Sequence, residues 1–413
     1  VGVVLQWKKR RSGNGKWLIA TEPGWSIPMP WVFYYMPLYL VMVGVGEIEY
    51  GALSSLSRGL SIAAPLFAMP VAAKLGLKRA FLVLDTISNV GMLLPLAVGK
   101  REPVALAFIF SGLAPSSAIL WEVLLVEGTG SEALVAAYSV PGIIYLIGNL
   151  LTPLAGIVLN KFSLVEGYKL VVLTALSSFL AKTAILVVTL KEPGSKLERE
   201  REKDGLREAI KLIISDGRMR ALLLFSVFSS VIYAVFGYQS LYLCDDRGPR
   251  MTVENASLIP SFSSTVSLAT LTFVTAMSHL NRVSYLTTAA AAGVTAYILY
   301  ALSSTRPALA FAAALASGLR GAEFSVSRAY FVDLLKGSDA VAKGHAISLL
   351  YTLSSIVTVP APMLVGLLYS IHPVSIWLLA LSASFGQLIV LTWLTKHKQG
   401  LSSVSGCFSL NKA

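Results

Sequence analysis

The chain has 413 residues, 55% of them hydrophobic and only 14% charged, with a mean hydropathy of +0.69. A soluble protein of this length needs far more polar surface, and apolar runs of about 20 residues recur throughout, the length that crosses a hydrocarbon core of roughly 30 Å as helix. The formal net charge of +12 does not point to nucleic acid, because the basic residues alternate with the apolar runs instead of gathering in one patch.

Apolar length and breaker residues predict an all-α integral membrane protein with twelve spans at 29–46, 51–73, 80–99, 103–126, 135–159, 168–190, 220–243, 255–278, 283–303, 307–333, 344–369 and 373–395. Residues 1–28 are expected as a cytoplasmic segment, with "WKKRR" and no cleavage-type site, hence no removed signal peptide. Residues 29–190 form the first six-helix half and 220–395 the second. The linker 191–219 has mixed charge, and Leu206, Ile210, Ile213 and Ile214 at helical spacing suggest an amphipathic helix on the cytoplasmic face. Residues 396–413 read as a cytoplasmic tail.

The basic residues set the orientation. Lys8, Lys9, Arg10, Arg11 and Lys16 precede the first span, Lys74, Lys78 and Arg79 follow the second, and the 191–220 stretch is the richest of all. Loops on the other side hold Lys100, Arg101, Lys161, Lys169, Arg247, Arg250 and Arg306. The excess places both termini in the cytoplasm of a cell-membrane protein.

The two halves resemble each other. "REPVALAFIFSGL" (101–113) recurs as "TRPALAFAAALASGL" (305–319), and an offset of 206 residues pairs Ser111-Gly112-Leu113 with Ser317-Gly318-Leu319 and Glu127 with Asp333. Two parallel six-helix halves put a substrate site at their interface, near the bilayer midplane.

Enzymatic, metal and nucleotide chemistry find no support. Cys244 and Cys407 fall near opposite faces, the histidines His279, His345, His372 and His397 are scattered, and neither an HExxH nor a GKS/T motif occurs. The glycine-rich "VGVGE" (43–47) and "EGTGSE" (127–132) follow no strand. No cofactor is expected, and the partners expected are a small-molecule substrate, the lipid bilayer and protons, with the protein working as a monomer.

Between spans 2 and 3 the chain reads "AAKLGLKRAFLV" (72–83). This resembles the signature loop of the major facilitator superfamily, G-x-L-A-D-R-x-G-R-K/R, with Lys74, Gly76, Lys78 and Arg79 matching. Ala73 stands in place of the family aspartate and Met69 in place of the opening glycine. In span 5, "GNLLTPLAGI" (148–157) is similar to the pattern of proton-linked antiporters through Gly148, Pro153 and Gly156, while Thr152 and Ile157 replace two glycines. The resemblance covers residues 29–395. It implies a secondary transporter working by alternating access, and with it a cytoplasmic network in which Glu127 faces Lys78 or Arg79 and Asp333 faces Arg282. Asp85 joins that network through Lys74 or Arg79.

Four charged positions lie within spans. Lys182 is about 12 Å from the inner end of span 6 at 1.5 Å per residue and is expected to snorkel to the headgroups. Arg58, two turns inside span 2, is expected to pair with Glu47 or Glu49. Arg320 sits at mid-depth in span 10, and at about 100° per residue Ala316, Ser317, Arg320, Glu323, Phe324 and Ser327 share one stripe, the pattern of a cavity-lining helix; Arg328 lies further inward. At the offset of 206, Arg320 corresponds to Ala114 and Glu323 to Ser117, so the other half builds this helix without the pair. The leading expectation is proton-coupled efflux of a small organic solute, with Glu323 as the coupling carboxylate and Arg320 holding it or the cargo. Tyr34, Tyr35, Tyr39, Tyr233 and Tyr238 are candidate cavity aromatics. Two alternatives are an anion or solute uptake permease contacting its cargo through Arg320 and Arg58, and a non-transporting receptor or assembly factor on the same fold.

Overall fold

A computed structural model describes residues 13–127, 134–192, 215–277, 281–334 and 352–408. The elements are α1 (Asn14–Ala20), α2 (Pro23–Ser26), α3 (Met29–Met42), α4 (Glu47–Leu75), α5 (Leu77–Ala97), α6 (Val104–Ser111), α7 (Ala114–Glu127), α8 (Leu134–Leu150), α9 (Thr152–Phe162) and α10 (Leu164–Thr189). They continue with α11 (Gly217–Phe236), α12 (Gln239–Cys244), α13 (Val253–Ala276), α14 (Arg282–Ser303), α15 (Leu309–Gly318), α16 (Glu323–Leu334), α17 (Ala361–Ile371) and α18 (Ser375–Phe408). Among the described residues, ten helices are long and apolar enough to cross a membrane, or eleven if α4 is counted as one bent span. The expected first span falls short of that length because its chain is broken. α3 has 14 residues, and turns at Thr21-Glu22 and Ile27-Pro28 separate it from α2 and α1.

This broken segment begins at Asn14, within the stretch expected to precede the membrane. Leu18 and Ile19 of α1 are buried in a core with Ala68, Ala72, Phe81, Leu120, Leu124 and Leu186, which come from four other helices. The last helix likewise runs on to Phe408, through most of the expected tail. The amphipathic helix expected at 206–214 lies outside the described residues. Lipid-facing positions carry large apolar side chains, such as Val188 at 83% exposure. Between membrane helices no water is expelled, so close approach and interhelical hydrogen bonds hold the bundle.

Most of the interrupted spans break where the sequence carries glycine or proline. Spans 4 and 10 break at equivalent points of the repeat, α6 to α7 at Gly112-Leu113 and α15 to α16 at residues 319–322. Span 5 breaks at Leu151, with Pro153 in the first turn of α9, where its missing N–H costs nothing. A Cβ on Gly148 would lie 2.6 Å from the Ser26 carbonyl, and one on Gly156 would lie 2.7 Å from Ser257. The span 5 motif therefore makes a bent, close-packed seam.

The described chain groups into two compact units. One holds the first six spans with Gly237–Thr265 and Val359–Pro373, and the other holds the remainder of the later spans. Within the first unit, Tyr238 donates to the Glu47 carbonyl at 2.9 Å, Tyr50 to the Gly237 carbonyl at 3.1 Å, and the Met363 N–H to Ser55 at 3.1 Å. Asp245, beyond the end of α12, accepts from Tyr369 at 2.8 Å and pairs with Arg247 at 3.0 Å.

Candidate functional site

In the second unit, Arg320 occupies the turn between α15 and α16, and Glu323 opens α16. The break suits both charges. A guanidinium just past the C-terminus of α15 and a carboxylate at the N-terminus of α16 each face a favourable helix dipole. Their side chains are 10% and 6% exposed and form an ion pair at 2.6 Å. Arg320 Nη1 donates to Tyr297 Oη at 2.9 Å and Ser384 Oγ at 3.1 Å, and Nη2 donates to Gln387 Oε1 at 3.2 Å. Glu323 Oε1 accepts from Ser229 Oγ at 2.8 Å and Gln387 Nε2 at 3.2 Å. The Tyr297 ring lies 5.7 Å from the guanidinium, and Gly293 makes room for it, since a Cβ there would meet Nη1. One cation faces one anion, with neutral partners on every side.

The break also corrects the expected stripe. The turn at 319–322 resets the helical register, so Phe324 is 51% exposed and carries the Arg328 guanidinium 5.2 Å from its ring, away from Glu323. Ser327 turns back to the Phe324 carbonyl at 3.0 Å.

The first unit contains a cavity of about 520 Å³. Span 4 lines it along its break, through Ser111, Ala114, Pro115, Ser117 and Ala118. Trp25, Phe81 and Trp121 supply aromatic walls, and Glu22, Asp85 and Lys182 supply charge. Lys182 does not snorkel. It is 6% exposed, and its ammonium lies 3.4 Å from Glu22 Oε2. Glu22, itself 6% exposed, sits in the turn between α1 and α2, which folds in beside α10 and gives the lysine a nearer partner than the headgroups. Glu22 Oε1 also accepts from Ser26 Oγ at 2.7 Å.

Asp85 is likewise absent from the loop network where it was expected. Lys74 and Arg79 are exposed, whereas Asp85 has Lys182, Ser117, Glu22 and Asn89 around its carboxylate. Asn89 Nδ2 donates to Asp85 Oδ1 at 3.0 Å, and Trp25 Nε1 donates to Asn89 Oδ1 at 2.8 Å. The buried indole N–H of Trp121 has no partner among the described residues. Two carboxylates thus line the cavity against one ammonium.

The remaining expected residues are placed as follows. Arg282 and Asp333 form an ion pair, with Arg282 also donating to the Ala329 carbonyl at 2.5 Å. The side chain of Glu127 lies outside the described residues. Gly76, at φ 84, ends α4 and caps α5. Lys78 Nζ donates to the Val187 carbonyl at 2.8 Å. The sequence reading missed Glu192, whose carboxylate accepts from the backbone N–H of Leu77 and, at 3.2 Å, from that of Lys78. It brings a negative charge to the N-terminus of α5 in a loop where Ala73 stands for the family aspartate.

Arg58 is half-buried, and no carboxylate among the described residues pairs with it. Its expected partners start α4 about three turns away, where Glu49 holds Arg101 at 2.9 Å and Glu47 holds Arg247 at 3.7 Å. Tyr34 donates to the Ala256 carbonyl at 2.6 Å, and Tyr39 to the Leu96 carbonyl at 2.9 Å. Tyr35 and Tyr238 are buried in packing, and Tyr233 is exposed. None of these tyrosines lines the cavity.

No family model and no curated protein matches the chain. Solved structures do. A mutant of the nucleoside transporter NupG superposes with a TM-score of 0.73 at 15% identity, over 92% of this chain and 99% of that one. The chain has the major facilitator fold. A bacterial homolog of the human lysosomal transporter Spinster shares this fold with a TM-score of 0.62 at 15% identity, over 92% and 94% of the two chains. A bacterial homologue of the iron transporter ferroportin gives 0.61 at 16%, over 92% and 97%. All these major facilitator structures are transporters by name, and the present chain is a multi-pass membrane protein of the same architecture.

Proposed function

We propose that the protein is a secondary active transporter that moves a small organic solute across the cell membrane by alternating access, in exchange for protons and in the direction of export. The observation that carries this reading is the cavity bounded by Glu22, Asp85 and Lys182. A single charge held at bilayer depth costs about 3 kcal/mol even on the mildest scale. Three such groups around an open space are better explained by a ligand or an ion than by packing.

The coupling proton is placed on this set and not on Glu323. The Arg320–Glu323 pair is balanced and hydrogen-bonded on both sides, so gaining or losing a proton there would leave a buried charge without its partner. The cavity carries one carboxylate more than its lysine neutralises, and a proton fits that surplus. The close-packed span 5 seam, similar to the antiporter pattern, favours exchange over uptake. The Glu192 cap on the signature loop restores a carboxylate where Ala73 had removed one, which favours a working transporter over a receptor.

The test is a panel of small solutes added to vesicles containing the purified protein and holding a pH gradient. At least one solute is expected to collapse the gradient through the wild-type protein, and Asp85→Asn to abolish the response. A correctly folded protein through which no solute moves protons contradicts the proposal.

A further inference from the structure

The composition of the cavity narrows its ligand. A volume of about 520 Å³ is in the range of small-molecule sites. Its ionisable lining is Glu22, Asp85 and Lys182, formally one negative charge in excess. Lys182 arrives from α10, Glu22 from the turn after α1, and Asp85 from α5 with Asn89 one turn on. α7 contributes Ser117 and Trp121, and α6 contributes Ser111. No other charged side chain among the described residues of the surrounding helices lines the cavity, Arg58 on α4 and Glu122 on α7 included. The excess is therefore not cancelled from within its walls.

One further feature faces the same space. Trp25, Phe81 and Trp121 offer aromatic surface, on which a cation is attracted to the ring face.

We infer that this cavity binds a small organic cation with a flat apolar body, its ammonium taking the place of a proton at Asp85 and Glu22. The inference rests on the transport reading's choice of this cavity and adds the charge of the cargo. Proton and cargo compete for one surplus charge, so the cavity holds either but not both. Sequential occupation then gives obligatory exchange without a second coupling site.

The experiment uses the full chain in lipid nanodiscs and two probes of nearly equal shape, tyramine and its neutral alcohol counterpart tyrosol, with calorimetry at pH 7.5 and 5.5. Tyramine keeps its ammonium at both values. It is expected to bind at least tenfold more tightly than tyrosol at pH 7.5 and to lose at least tenfold at pH 5.5. Asp85→Asn is expected to abolish the preference. Lys182→Met, which removes the competing ammonium, is expected to strengthen tyramine binding severalfold, and it keeps the test decisive should Asp85→Asn fail to fold. Equal binding of the two probes, absence of binding by both, or tyramine binding indifferent to pH and to Lys182→Met would overturn the inference. Solute-driven proton movement in vesicles without a preference for tyramine overturns the cargo charge alone. Tyramine binding as expected, with no proton movement for any solute, leaves the site standing and removes the transport reading.

Discussion

Spans 4 and 10 occupy equivalent places in the repeat and break at equivalent residues, yet the two breaks are filled in opposite ways. In span 10 the break holds Arg320 and Glu323, whose side chains pair with each other and bond to Ser229 of α11, Tyr297 of α14, and Ser384 and Gln387 of α18. At the corresponding positions span 4 holds Ala114 and Ser117, and their small side chains leave about 520 Å³ open. Charge enters that space from three other places, Glu22, Asp85 and Lys182, and does not balance. Buried charge therefore has two arrangements in one molecule. A neutral, hydrogen-bonded pair sits at a broken helix, and an unbalanced set lines a cavity, where the proposed function assigns it exchange. Depth within the span did not distinguish them; the balance of charge does.

The comparison breaks first at the paired site. Arg320→Ala would leave Glu323 buried without its cation and is expected to cost about 3–5 kcal/mol, read as a fall in the unfolding temperature of the purified protein. Replacing both residues by leucine is expected to recover most of that loss, as removal of a whole buried pair often does. A silent single variant would mean that the pair does not hold the break.

The next effect belongs to the unbalanced site. Lys182→Met leaves Glu22 and Asp85 facing each other without a cation, and a loss of about 2–3 kcal/mol is expected at neutral pH. Acid protonates the stranded carboxylates, so the deficit should shrink as pH falls, the opposite of ordinary acid denaturation. A deficit that is constant or grows with acid would show that the lysine does not serve them.

Filling the N-half break tests the role of space. Ala114→Phe is expected to reduce transport at least tenfold, about 1.4 kcal/mol in the barrier, at little cost in stability. Unchanged transport would place the cargo elsewhere.

The smallest effect lies outside the membrane. Burial pushes the Asp245 carboxyl up, but its hydrogen bonds with Arg247 and Tyr369 outweigh this and hold it below the ordinary carboxylate range. A depressed group stabilises the fold above its unfolded value and stops doing so as pH falls through the folded one. Asp245→Asn is therefore expected to cost about 1 kcal/mol at neutral pH, with the difference from wild type closing only below roughly pH 4.

Much of this was legible in the residues. Apolar length located most spans, the repeat paired the breaks of spans 4 and 10, and i,i+3 spacing joined Arg320 to Glu323. The signature loop's resemblance joined Arg282 to Asp333. What escaped depended on long-range placement. Asn14, Lys16, Glu22 and the prolines and glycines around them make residues 14–28 read as a loop, so Glu22 had no place in the bundle and Lys182 had no visible partner. Asp85 was misplaced for the same reason, since the groups that surround it come from sequence positions far away. The break in span 10 had a local signal, Gly318 and Gly321 around Arg320, and reading it would have removed Phe324 and Ser327 from the stripe.

The central claim is that the coupling proton resides in the cavity of the first six spans and not on the span 10 pair. The most direct measurement compares Asp85→Asn with Glu323→Gln in vesicles loaded with equal amounts of folded protein, following solute-driven decay of a pH gradient. The expected result is decay in Glu323→Gln and none in Asp85→Asn. Decay in Asp85→Asn together with its loss in Glu323→Gln would contradict the claim and return the proton to span 10.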